Sequence, residues 1–194
     1  MPPPKKADPP HKMVFTANSL RNTTIAVDDD TLYYEIVTRF WHPTITKIKK
    51  LDIDSQQMIT VAEIEREPKR EPRVRFGLDK DENAAWTDAR EWLHYTPKKT
   101  RGGVFNSNSG VSYRWKTHNR QLQLIRADGD NKEPLVIKHK HKRHFFVMRM
   151  SKHAWLEIKP EVVESLEQLI VSYILVERRR RDSHPRVELK LSAD

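Results

Sequence analysis

Hydrophobic and polar positions follow two different periods along the chain. In the first, short runs alternate between apolar and polar residues and are separated by turn-forming residues, which is typical of half-exposed β-strands. Strands with this spacing predict an antiparallel sandwich or barrel. The runs cover residues 13–16, 23–27, 31–38, 44–51, 58–65, 73–78, 111–116, 120–127, 134–140, 144–150 and 154–158, with a twelfth at 187–191.

The second period begins at Pro160, a residue well suited to the first position of a helix. Apolar residues then recur at helical spacing and fill most of the circumference from residue 162 to residue 176. A helix that is apolar on all sides must be enclosed by protein or by lipid. A membrane span needs about 20 apolar residues, whereas the uncharged run here covers only 168–176. We therefore predict enclosure by protein and no transmembrane span.

Many strands followed by one apolar helix fit most simply into a barrel, because closure removes exposed strand edges. We predict a mainly β fold: a closed antiparallel barrel of about twelve strands that encloses a helix at about 160–181. A short additional helix is expected near 81–95, where Trp86, Ala89, Trp92 and Leu93 share one face. The predicted organisation is a single domain, 13–191, after a disordered proline-rich arm, 1–12.

The order of these segments is similar to that in the tubby C-terminal-like superfamily, which includes tubby proteins, phospholipid scramblases and plant LURP-one-related proteins. Within it, the chain most resembles a fungal domain of unknown function. The stretches that carry the resemblance extend from about Ser19 to Arg181 and include "SLRNTTIAVDDDTLYYEIVT", "VFNSNSGVSYRWK", "PLVIKHKH" and "LEIKPEVVESLEQLIVSYILVERRRR". The resemblance implies a twelve-stranded barrel around a hydrophobic helix. It also suggests membrane lipids as ligands, because tubby domains bind phosphoinositides and scramblases are membrane-associated.

The charge of the chain indicates which classes of binding partner to expect. The chain has 36 lysines and arginines against 27 acidic residues, a formal net charge of +9, which favours anionic partners. It has no cysteine, so disulfides, thiolate metal sites and cysteine nucleophiles are excluded. We expect an intracellular, cytoplasmic protein that associates peripherally with membranes. The run "RRRR" leaves a nuclear location open.

Two basic clusters are the candidate anion- and lipid-binding residues. The first contains Lys138, Lys140, Lys142 and Arg143, and the second is the run Arg178, Arg179, Arg180 and Arg181. They would form one patch if the fold brings them together, and otherwise they are solvated charge. His139 and His141 share one side of a strand, as a metal-binding pair would, but the surrounding cations disfavour zinc. No metal or cofactor is therefore expected.

No hydrolase, metalloprotease, phosphate-loop or dinucleotide-binding motif occurs in the chain. Our hypothesis is a non-enzymatic binding or adaptor module that docks to anionic, phosphoinositide-like phospholipid head groups. One alternative is a protein-interaction scaffold whose charge is solubilising. Nucleic-acid binding is less favoured, because Tyr113 and Trp115 alternate with Arg114 and Lys116 and so should face the core rather than a base.

Overall fold

The computed structural model describes residues 8–28, 31–95, 102–119, 121–129, 133–139 and 154–183. In these residues, twelve antiparallel strands precede a C-terminal helix. The strands are β1 (His11–Phe15), β2 (Thr23–Val27), β3 (Leu32–Thr38), β4 (Ile45–Asp52), β5 (Gln57–Glu65), β6 (Arg73–Phe76), β7 (Thr87–Asp88), β8 (Val104–Asn106), β9 (Ser112–His118), β10 (Gln121–Arg126), β11 (Val136–His139) and β12 (Trp155–Ile158). Two α-helices, α1 (Ala89–Trp92) and α2 (Leu166–Asp182), and a 3₁₀ helix (Pro160–Ser165) complete the fold.

Alternating burial along the strands places one face of the sheet in the core. In β2, for example, Thr23, Ile25 and Val27 are buried while the residues between them are partly exposed. Ile25 pairs across the ladder with Tyr34 of β3, which is also buried. Because side chains in a strand alternate between faces, the polar–apolar pattern fixes which face turns inward.

The strand order runs from β7 through β6, β5, β4, β3, β2, β1, β12, β11, β10 and β9 to β8. Within the described residues, β7 and β8 are therefore the ends of the sheet, and the predicted closed barrel is corrected to an unclosed sheet. The physical reason lies at Asp88, whose carboxylate accepts a hydrogen bond from the Arg90 N–H and caps α1. This cap ends β7 after two residues and turns the chain into a helix.

The short helix α1 lies between the two ends of the sheet. The Leu93 carbonyl just after it accepts a hydrogen bond of 2.8 Å from the Val104 N–H of β8. The Trp92 ring stacks on Phe105 of β8 at a centroid distance of 5.7 Å and also contacts Phe76 of β6. Side-chain packing and one backbone bond thus join the edges where strand pairing stops.

The concave face of the sheet surrounds α2, as predicted. Every residue from Gln168 to Glu177 is buried, and Leu169 and Ile174 are each 0% exposed. The indole N–H of Trp115, on β9, donates to the Ser172 hydroxyl at 2.9 Å. Enclosure of the helix by the chain's own strands is confirmed.

The remaining predicted elements differ in length or fall outside the described residues. The helix predicted for 81–95 is reduced to the four residues of α1, and the first turns of the C-terminal helix are 3₁₀. Strands β7 and β8 are absent from the prediction, whereas the strands predicted at 144–150 and 187–191 lie outside the described residues. Most of the predicted arm, 1–7, also lies outside them, and β1 begins at His11.

Candidate anion-binding surface

The last turn of α2 and three loops lie together at one end of the molecule. The Arg181 guanidinium donates to the backbone carbonyl and to the side-chain oxygen of Asn18, at 3.0 and 2.9 Å. Arg21 donates to the Pro43 carbonyl at 2.8 Å, and the Arg66 backbone N–H donates to the Thr44 carbonyl. We call this the arginine end, formed by residues 16–22, 39–44, 66–72 and 177–183. These segments contain nine basic and four acidic residues, so the surface is strongly cationic.

One of the four acids, Glu177, is buried beneath the surface and binds three cations. Its carboxylate lies 2.5 Å from the Lys138 ammonium, 2.9 Å from Arg180 and 3.1 Å from Arg181. Burial works to raise the pKa of Glu177, but Lys138 and the two arginines lower it below the ordinary value. Glu177 is therefore ionised at neutral pH and holds the helix end against β11.

Lys138, a predicted surface residue, points inward from β11. Its side chain is only 7% exposed, and its ammonium lies 5.6 Å from the centre of the Tyr173 ring. Burial lowers its pKa to about 8, although Glu177 acts in the opposite direction. The ammonium is committed to the interior and is not presented to a surface ligand.

Arg179 is also used inside the molecule. Its guanidinium carbon lies 3.4 Å from the centre of the Tyr95 ring, and the Tyr95 hydroxyl donates to Glu71 at 2.6 Å. Burial lowers the pKa of Arg179, partly offset by Tyr95 and Glu71. Stacking of a guanidinium on an aromatic face is a strong use of this side chain, and here it attaches α2 to the segment after α1.

Arg66, which follows β5, has buried guanidinium atoms without a hydrogen-bond partner, as Arg179 does at its Nη2. The Nε and Nη2 atoms of Arg66 are shielded from solvent and have no hydrogen-bond partner in the described structure. Burial, followed by repulsion from Arg178 and Arg21, lowers its pKa to about 10, while Asp182 acts in the opposite direction. The guanidinium therefore remains charged at neutral pH, close to two further cations.

The β3–β4 loop adds aromatic residues to this cationic surface. Phe40 is 94% exposed and Trp41 is 66% exposed; among the described residues, Ile53 is the only other large hydrophobic side chain exposed to this degree. The Arg39 guanidinium lies 5.4 Å from the centre of the Trp41 ring. Beside the loop, on the outer face of the sheet, is a cleft of about 470 Å³ whose lining includes Trp41, His42 and Lys49.

The structure brings together some of the predicted residues. Lys138, Arg180 and Arg181 meet at Glu177, whereas Lys140, Lys142 and Arg143 lie outside the described residues. Arg178 is partly exposed, 3.7 Å from Asp182. Their predicted role in lipid binding stays a prediction.

Sequence reasoning missed Arg21, Arg66, Phe40 and Trp41. The stretch "RFWHP", 39–43, contains a signal that could have found the loop, because two adjacent aromatic residues beside a proline cannot both face a core. Arg66 carries no such signal, since its environment depends on loops that are distant in sequence.

The histidine predicted as half of a metal pair has other contacts. His139 stacks on Trp155 at 3.8 Å between ring centres, and one ring nitrogen lies 3.1 Å from Glu157. His141 lies outside the described residues. Within the described part of the chain, no group of three or more potential metal ligands occurs, and no helix there is long and apolar enough to cross a membrane.

The interior positions of two aromatic residues bear on nucleic-acid binding. Tyr113 is 3% exposed and Trp115 is 2% exposed, which confirms that they face the core while Arg114 faces outward. The predicted separation of aromatic and basic faces on β9 is therefore present.

Comparison with known proteins yields one relationship. No curated protein and no solved structure matches the chain. The model of a family of unknown function, DUF6593, matches residues 18–182, an interval that starts at the first residue contacting Arg181 and stops at the last residue of α2. The matched interval covers most of the chain, and the protein therefore belongs to the DUF6593 family of unknown function.

Proposed function

We propose that the protein is a non-enzymatic binding module that docks peripherally on anionic phospholipid through its arginine end. One observation carries the proposal: the most exposed aromatic residues of the described structure, Phe40 and Trp41, lie on the same end as the arginine-rich surface. Aromatic side chains favour the interfacial region of a bilayer, and basic residues favour its anionic head groups. The proposal includes two further points. The chain is related to the tubby C-terminal-like superfamily through a fungal domain of unknown function, and its ligand is phosphoinositide-like.

The cations that serve this role differ from those predicted. Arg179, Arg180 and Arg181 are engaged in contacts within the protein. Arg21 and Arg39 are exposed and Arg178 is partly exposed, and these three form the outward-facing set beside the partly buried Arg66. Each basic residue near an anionic bilayer contributes about 1 kcal/mol of attraction. A few such residues, together with two aromatic side chains, support weak and salt-sensitive binding.

Vesicle flotation tests the proposal directly. Phosphatidylcholine vesicles are compared with vesicles that also contain phosphatidylserine or phosphoinositide, at low and at moderate salt. We expect enrichment on the anionic vesicles that falls as salt rises, because screening weakens exposed charge interactions. Equal recovery with neutral and anionic vesicles, or no recovery on phosphoinositide vesicles at low salt, would remove the proposal.

The two alternative hypotheses, a protein-interaction scaffold and a nucleic-acid binder, are tested by separate measurements. A protein-interaction scaffold predicts pull-down partners that survive high salt. Nucleic-acid binding predicts retardation in a gel shift at low salt. Because Tyr113 and Trp115 are buried, their rings are not available on β9 to stack on a nucleic-acid base or to recognise it.

A further inference from the structure

Arg66 offers hydrogen-bond donors that the protein itself does not use. Its backbone is fixed by the bond from its N–H to the Thr44 carbonyl, at 2.8 Å. Its Nε and Nη2 are shielded from solvent and lack an acceptor in the described structure. Buried polar groups are nearly always hydrogen-bonded, and an exception calls for a missing ion, water or functional role.

A water molecule could accept hydrogen bonds from Arg66, but it would not offset the positive charge around that side chain. Arg21 and Arg178 are close enough to repel its charge, and among the described residues that act on it Asp182 is an acid with the opposite effect. That carboxylate already lies 3.7 Å from Arg178. The three guanidinium groups therefore carry more positive charge than Asp182 balances, and an anion would both accept the unused donors and relieve the repulsion.

The geometry of a guanidinium limits which anions fit. Its planar fork matches two oxygens of a phosphate or carboxylate, and Nε with Nη2 form one edge of that fork. A doubly charged phosphate monoester balances the surplus of two positive charges better than a carboxylate or a phosphodiester, each of which carries a single charge.

We propose that Arg66, with Arg21 and Arg178, forms a binding site for a phosphate monoester. The inference rests on the proposed function, which it deepens by naming the chemical group that is recognised. Phe40 and Trp41 follow the end of β3 in the loop that also holds Pro43 and Thr44, the carbonyl partners of Arg21 and Arg66. A phosphate bound there would therefore sit beside the exposed aromatic loop, as a lipid head group requires.

The source of the phosphate is either a soluble ester or a lipid, and two probes distinguish them. Glycerol 3-phosphate is the soluble head group of phosphatidic acid, and phosphatidic acid presents the same monoester in a bilayer. Thermal unfolding of the full chain is measured with glycerol 3-phosphate at constant ionic strength. Flotation compares phosphatidic acid vesicles with phosphatidylserine vesicles.

We expect glycerol 3-phosphate to raise the Tm and phosphatidic acid to bind more protein than phosphatidylserine does. In Arg66→Met, the affinity for phosphatidic acid vesicles should fall about 10- to 100-fold, as expected for loss of a charged hydrogen-bonding group. The Tm of the unliganded variant should stay the same or rise, since an unpaired buried charge is removed. Arg114→Met, which changes an exposed arginine on β9, should behave like the unmodified chain.

Other outcomes separate this site from the wider proposal. Binding to anionic vesicles that is indifferent to Arg66 and to the head group would overturn the site and leave membrane docking standing. A Tm rise with glycerol 3-phosphate that Arg66→Met abolishes, without any vesicle binding, would support the site and overturn membrane docking. If Arg66→Met fails to fold, Arg66→Lys keeps the charge without the fork, and unchanged selectivity for phosphatidic acid in that variant would overturn the site.

Discussion

Glu177 shows how much one buried acid determines at this end of the molecule. It neutralises Lys138, which the alternation of β11 directs inward, and it holds two consecutive arginines at the end of α2. The inward direction of Lys138 could be predicted, because it shares a strand face with buried Val136. Its partner could not, because Glu177 lies on a different element and strand alternation carries no information about it.

Replacing Glu177 by Gln should destabilise the fold by about 3–5 kcal/mol, because Lys138 would remain buried without its counter-charge. The double variant Lys138→Met/Glu177→Leu should lose much less, since it removes both charges. Urea unfolding gives the free energies. Glu67→Gln, which breaks an exposed pair with Arg70, is the matched control and should change stability by about 0–1 kcal/mol; an equal loss in both single variants would contradict the buried-pair account.

The stability of the fold should also depend on pH. The pKa values of Glu177 and Glu63 are lowered in the folded state by their cationic partners, against the effect of burial. The unfolded chain therefore binds more protons than the folded chain as pH falls below the ordinary value of 4.5, so the stabilisation present above that pH is lost. Lys138 is protonated in both states in this range and contributes no slope.

Urea unfolding between pH 7 and pH 3 measures this dependence. In Glu177→Gln the decrease in unfolding free energy between these pH values should be smaller than in the unmodified chain. A decrease of the same size in both would show that Glu177 is not one of the groups responsible.

Among the elements, the β3–β4 loop carries the clearest sign of function. Short elements at the sheet edges were beyond sequence prediction, because two or three residues in β7 and β8 are too few to show a period. The long alternating strands and α2 were predictable because each contains enough residues to show a period. Neither the strand period nor the helix period predicts the β3–β4 loop. Its proposed role in binding depends on which arginines lie beside it.

Replacing Phe40 and Trp41 together by Ala should weaken recovery on anionic vesicles about tenfold or more, since each aromatic side chain contributes interfacial affinity. Ile53→Ala is the matched control: Ile53 is 65% exposed but follows the far end of β4, away from the arginine end. Flotation at low salt compares the three proteins. Equal losses in the two variants would show that exposed apolar area in general, rather than this loop, determines recovery.

At the centre of the fold, Leu169→Ala should cost about 2–5 kcal/mol, because the side chain is completely enclosed and its removal leaves a cavity. The midpoint of urea unfolding should fall while its slope stays the same. A loss below about 1 kcal/mol would mean that the surrounding strands can collapse around α2.

At the scale of the whole molecule, the charged residues that the structure describes are distributed unevenly between the two ends. The far end combines acids and bases, as in the cavity lined by Arg126, Asp128, Glu133, Lys159 and Glu161, whereas the arginine end has a cationic surplus. The net charge of +9 could be read from composition, but the cationic surplus of the described residues at the arginine end could not, because it arises when the loops and the helix end meet.

The position of α2 at the end of the described fold has a consequence for biosynthesis. Strands β1 to β12 leave the ribosome before the helix that fills their concave face, and β1 must also wait for its neighbour β12. The nascent polypeptide therefore exposes apolar strand faces until residue 182 has emerged. Productive folding must therefore wait until α2 has emerged, and a chaperone that shields β-rich nascent chains should associate with translation intermediates that stop short of Pro160.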